Sequence, residues 1–153
     1  MARKSNNHAL NVMASNLNTD ILDNKVEKSI TYLTATTGKT GATTLATVTG
    51  VVAVSIIGVC DTALTGAGAT LEVGTALSTA GLIAQTTGTD MAANEIWHDA
   101  SPDSSIELTS VITKKICTQN IIQTIATHTV DTGAITYYIM WSPISSDGNV
   151  VIA

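Results

Sequence analysis

The sequence has no phenylalanine, and its aromatic side chains are two Trp and three Tyr. The large rings that dominate most small-domain cores are therefore scarce. The interior has to be filled by Ala, Val, Ile and Leu.

Charge is scarce as well. Asp, Glu, Lys and Arg make up 12% of the residues, about half the usual fraction near 25%. A surface so poor in charge suits a subunit whose faces are covered in a permanent assembly, and suits a free monomer badly. Basic residues are the rarer sign, 7 Lys and Arg against 12 Asp and Glu, for a net charge of −5. Phosphate binding needs clustered Lys and Arg, so the charge balance argues against nucleic acid as a general partner.

Long hydrophobic runs are missing too. The most apolar stretch, "VTGVVAVSIIGVC" from Val48 to Cys60, is broken by Gly50 and Gly58. It is too short for a bilayer and predicts a buried strand, so no membrane partner is expected. The opening "MARKSNNHALNVMASNLNTD" has a basic start but no apolar run of signal-peptide length, and no targeting segment is expected. Cys60 and Cys117 fit no zinc or redox spacing. They are expected as small buried hydrophobes, with a single bridge between them left open.

What the chain does have is threonine, roughly one residue in six. Threonine and the other β-branched residues are stiff at χ1 and fit a pleated surface. Its 153 residues are enough for one domain. From Ser29 onward, short β-rich runs alternate with glycine turns: "SITYLTAT", "TTLATVT", "VVAVSIIGVC", "ATLEV", "GLIAQT", "SIELTSVITKKICT", "NIIQTIATHTV", "AITYYIMW" and "NVVIA". About eight strands with regular turn signals predict an all-β domain over 30–153, an antiparallel β-sandwich, jelly roll or small barrel.

Residues 1–29 differ. They are rich in Asn and carry Arg3, Lys4, Lys25 and Lys28, while no Lys or Arg lies between Lys39 and Lys114. This segment predicts a non-β arm, extended or a short helix, with Leu10, Met13, Leu17 and Ile21 on one face. It has too little apolar surface to fold alone, so its order should come from the body or a neighbour.

Four motifs bear on chemistry. "TGKTG" (37–41) contains Gly-Lys-Thr, but Leu33 stands where a phosphate loop needs its first glycine, and a strand pattern follows. "GAGATL" from Gly66 puts Leu71 in place of the third glycine of a dinucleotide fingerprint. Both read as turns. "VDTGA" (130–134) is similar to the active-site loop of small homodimeric aspartic proteases, with Asp131 as its acid. Only twenty residues follow Gly133, too few for that fold, and Asp-Thr-Gly reads better as a hairpin turn. The stretch "TDMAANEIWHDASPDSS" holds Asp90, Glu95, Trp97, His98, Asp99 and Asp103, with Glu107 beyond. It lacks the alternating acids and central glycine of a calcium loop and reads as a solvated acidic loop. His98 beside an acid could titrate or bind a metal, but a lone His is more often a surface or packing residue. His8 and His128 have no evident partners. No catalytic, cofactor or metal site is assigned.

Two strands, "VVAVSIIGV" and "AITYYIMW", are apolar on both faces. One face packs inside the domain; a second copy of the chain is the simplest cover for the other, which makes a homo-oligomer the default, a trimer among the options. Strand alternation puts Tyr137 and Trp141 on one face and Tyr138 and Met140 on the other. One pair should fill the core and the other meet a partner. Arg3, Lys4, Tyr137, Tyr138, Met140 and Trp141 are thus the candidate interface residues.

The body as a whole, "TVTGVVAVSIIGVCDTALTGAGATLEVGTALSTAGLIAQTT", then "NEIWHDASPDSSIE", then "ITYYIMWSPISSDGNVV", resembles small structural proteins of tailed bacteriophage virions that decorate the capsid or sit at its head. The resemblance runs from about Ser29 to the end and rests on no single motif. It implies a sandwich or jelly-roll homo-oligomer without catalysis or cofactor, bound to a major capsid protein lattice and assembled in the host cytoplasm. The alternative from another class is a receptor- or glycan-binding module of a neck, tail or fibre, which needs exposed aromatic faces.

Overall fold

The computed structural model describes residues 24–103 and 105–153. Arg3, Lys4 and most of the expected arm lie outside them. Ten strands account for nearly all the regular structure: β1 (Asn24–Leu33), β2 (Gly41–Thr49), β3 (Val52–Thr65), β4 (Thr70–Thr75), β5 (Ser78–Thr87), β6 (Ile96–Trp97), β7 (Lys115–Cys117), β8 (Ile121–Ala126), β9 (Thr132–Pro143) and β10 (Asn149–Ile152). Among the described residues no helix is long and apolar enough to cross a membrane.

The strands form two antiparallel five-stranded sheets. In the first, β1, β9 and β3 run side by side, and β6 and β7 share the far edge of β3. In the second the order is β10, β2, β8, β4, β5. Pairing is nested about the β4–β5 hairpin: β3 with β7, β2 with β8, β1 with β9. The chain thus folds as one long double ribbon wrapped across two layers.

The period-2 pattern supplies the core. Along β8, Ile121, Gln123 and Ile125 are buried and the residues between them are half-exposed. Along β9 the buried set includes Ile135, Tyr137, Ile139 and Trp141, and along β3 it includes Val52, Val54, Ile56 and Cys60. These inner faces meet in one hydrophobic cluster with Leu45, Leu71, Val73 and Ile83 of the second sheet. Each such aliphatic side chain contributes about 1.5–3 kcal/mol relative to exposure.

The two flanks close differently. On one, Lys28 of β1 donates its ammonium to the carbonyl of Ala153, just past β10. On the other, Lys115 Nζ donates to the carbonyls of Gly81 (2.8 Å) and Leu82 (3.2 Å), tying β7 to β5.

Four expectations are corrected. The first strand begins at Asn24, so residues 24–29 leave the expected arm. Val26 takes up a register opposite Ile139, and the Lys28 ammonium finds a carbonyl partner. The strands number ten because two short pieces, β6 and β7, share one edge of β3. "SIELTSVITKKICT" is strand only at Lys115–Cys117. Its apparent alternation is solvent-facing: Ile106 and Leu108 are exposed, and Thr109–Val111 is a 3-10 turn.

The "DTG" segment is not a hairpin. Strand β8 belongs to the second sheet and β9 to the first, so residues 127–131 carry the chain across the sandwich. The reversal falls earlier, at Thr127 with φ 67°, and Val130 is fully buried at the crossing.

Candidate functional site

The three motifs that resembled ligand loops meet at one end of the sandwich and fill one another. Val130 donates its backbone N–H to the Gly38 carbonyl at 2.9 Å, and Asp131 N–H donates to the Thr65 carbonyl at 2.8 Å. A Cβ on Gly38 would stand 1.9 Å from the Val130 carbonyl oxygen, and one on Gly66 2.4 Å from the Thr129 carbonyl oxygen. These glycines serve backbone approach to the crossing, which no side chain would permit. Asp131 is exposed and its Oδ1 accepts from Thr34 Oγ1 (3.2 Å) and Thr129 Oγ1 (3.4 Å). That is the bonding of a turn aspartate.

The aromatic cluster divides as alternation requires. Tyr137 and Trp141 point into the core, while Tyr138 and Met140 lie half-exposed on the outer face of the first sheet. Trp97 is fully buried, its ring 6.3 Å from that of Tyr137. Neither tryptophan offers a flat face to solvent.

Around Tyr138 the register sets out an apolar strip. Tyr138 stands between Glu27 and Ile57, Met140 between Lys25 and Ser55, and Ala53 beside the exposed Ile116. Lys25 lies over the Tyr138 ring at 5.4 Å and pairs with Glu27 at 3.4 Å. The outer face of the second sheet is different, with Thr44, Thr124, Glu72 and Gln85 around Ile122.

The interior also holds polar chemistry that sequence reasoning missed. Tyr32 and Tyr137 both donate to Gln123 Oε1, and burial pushes both phenols well above their ordinary range. Burial likewise pushes the Cys60 thiol up to about 11, with Asp61 and Glu95 adding to the shift. Both cysteines are free and buried. Cys117 pairs with Val52, eight residues along β3 from Cys60. At about 3.3 Å per residue, the two thiols are too far apart to bridge.

The acidic loop gathers where it looked merely solvated. Backbone hydrogen bonds between Ile96 and Asp103 (3.1 and 2.8 Å) form an antiparallel bridge. This puts Asp103 on the same face as His98, diagonally across. His98 Nε2 stands 2.9 Å from Asp103 Oδ2 and 3.8 Å from Glu107 Oε2. No spacing rule announces this trio, because Asp103 reaches His98 only through this isolated bridge. His98 also lines a cleft of about 240 Å³ between β3 and β5, with Ile56, Leu82, Val111 and Lys115.

No family model, curated protein or solved structure matches this chain.

Proposed function

We propose that this chain is a structural subunit of a virion, a homo-oligomer that binds a major capsid protein lattice and decorates or stabilises it. The observation that carries the reading is the contrast between the two outer sheet faces. One carries Ile57, Tyr138 and Met140 in a half-exposed apolar strip, while the other sets Ile122 among Thr44, Thr124, Glu72 and Gln85, with Val151 exposed at its β10 edge. An apolar face on one side of a charge-poor domain is what an interface core requires.

The winding supports the same reading. We read the orders β1-β9-β3-β7 and β2-β8-β4-β5, with β10 added at an edge, as the winding of a double-sheet jelly roll, an architecture found in viral capsid and lectin domains. The lectin-like alternative loses its main requirement, since Trp97 and Trp141 are both buried. The reading invokes no catalysis, cofactor, nucleic acid or membrane. It places the protein in the virion after assembly in the host cytoplasm.

Mass measurement tests it. Light scattering of the full chain should give an integral multiple of 15.8 kDa, and added protein should co-sediment with purified tailed-phage heads at a fixed copy number. A monomer at all concentrations that fails to bind heads overturns the proposal.

A further inference from the structure

We propose that His98, Asp103 and Glu107 form a binding site for a divalent cation of the zinc class. The donor atoms of the three residues all lie within 4.8 Å of one another. Metal–ligand lengths of 2.0–2.1 Å in a tetrahedral shell put neighbouring donors about 3.3 Å apart, and the contacts of 2.9 and 3.8 Å from Nε2 bracket that value. Small rotations of the carboxylates complete the fit.

The imidazole supplies an independent observation. The side chain of His98 is 8% exposed, yet its Nε2 has no hydrogen-bond partner among the described residues. At 2.9 Å from a carboxylate oxygen such a bond fails only through misalignment. A buried imidazole nitrogen 2.9 and 3.8 Å from two carboxylate oxygens, with no aligned hydrogen bond to either, is costly unless a further group engages it. A cation at the point where the three donors converge does so.

Glu107 is set for the role. Its Oε1 accepts the Leu108 backbone N–H at 2.6 Å, which orients the carboxylate and leaves Oε2 facing His98. Outer hydrogen bonds of this kind fix ligand geometry in metal sites. Two carboxylates and a neutral imidazole match a 2+ ion in charge. The nitrogen donor favours zinc over calcium or magnesium, which take oxygen ligands. Three protein ligands leave a further position for water.

The site would act as a staple. Residues 98–114 connect β6 to β7 and present exposed Ile106, Leu108 and Val111. A metal would fasten the middle of this segment to the end of β6.

The test uses the full chain, stripped with a chelator and titrated calorimetrically with zinc. The expected result is one zinc per chain, with affinity reduced at least about tenfold in His98→Ala and in Glu107→Gln, and unchanged in His128→Ala. Cobalt substituted for zinc should give visible absorption of a four-coordinate site, and zinc should slow amide exchange across residues 98–114. Glu107→Gln is conservative and outside the core, so it decides the matter if His98→Ala does not fold. Absence of zinc uptake, equal affinity in Glu107→Gln, or calcium binding as tightly as zinc overturns the proposal.

Discussion

Tyr32 and Tyr137 donate their hydroxyls to the same oxygen, Gln123 Oε1, at 2.6 and 2.7 Å, across the middle of the sandwich. The two phenols come from β1 and β9 of the first sheet, and the amide from β8 of the second. Their own oxygens are 3.2 Å apart. Two protons therefore serve three close contacts, and the amide oxygen takes both.

The energetics of such a group are asymmetric, because an orphaned buried hydroxyl costs more than a made bond gains. Tyr137→Phe should destabilise by about 1 kcal/mol, and Gln123→Leu by about 2 kcal/mol, since it strands two donors at once. Adding Tyr32→Phe and Tyr137→Phe to Gln123→Leu should recover most of that loss. Urea unfolding of the series measures it; a triple variant weaker than Gln123→Leu alone contradicts the account.

Burial raises the pKa values of Tyr32, Tyr137 and Cys60 relative to the unfolded chain, making all three weaker acids. For an acid whose folded pKa is raised, the unfolded state releases its proton first as pH rises. The stabilisation is whole below the ordinary values, 9.0 for Cys and 10.0 for Tyr, and is lost as pH climbs through them towards the folded values. The urea midpoint should therefore hold steady to about pH 9 and then fall steeply. Tyrosinate absorbance from Tyr32 and Tyr137 should appear only together with unfolding. In Tyr137→Phe the alkaline fall should be shallower.

At the glycine-rich end, Gly38 touches backbone. Gly38→Ala drives a Cβ against the Val130 carbonyl and should destabilise by about 2–3 kcal/mol. Lys39→Ala, exposed beside it, should change stability by less than about 0.5 kcal/mol. A phosphate-binding loop would show the opposite priority, with Lys39 governing nucleotide binding. Thermal melts of both variants, with and without ATP, separate the two.

Much of this was legible where local pattern and burial agree. The alternation in "AITYYIMW" assigned Tyr137 and Trp141 to one face and Tyr138 and Met140 to the other, and the inner pair is the first. Runs of β-branched residues marked β2, β3 and β8. What stayed hidden depends on partners distant in sequence. Residues 24–29 look like an Asn-rich, charged arm until β9 offers them a ladder. "DTG" looks like a hairpin because turn chemistry is local, whereas the sheet each flanking strand joins is decided elsewhere. His98, Asp103 and Glu107 converge through an isolated backbone bridge that no periodicity encodes. Gln123 reads as one more polar residue in a strand, yet two tyrosines from the opposite sheet make it a core residue.

The outer strip of the first sheet yields the prediction most relevant to function. Tyr138 and Met140 sit on adjacent rows with Ile57, on the side of β9 away from the core. Replacing both with Ser removes apolar area from that face while leaving Tyr137, Ile139 and Trp141 inside. The melting temperature of the isolated subunit should change little, because half-exposed side chains contribute a fraction of their full burial energy. Assembly should suffer more, since aromatic anchors near the centre of an interface carry a disproportionate share of its energy. Light scattering of Tyr138→Ser/Met140→Ser should show dissociation at concentrations where the parent chain stays associated. Ile122→Ser, an apolar loss of similar kind on the outer face of the second sheet, should leave the mass unchanged. If Ile122→Ser dissociates the assembly and the double variant does not, the interface lies on the threonine-rich face. The contrast between the two faces would then have been read with the wrong sign.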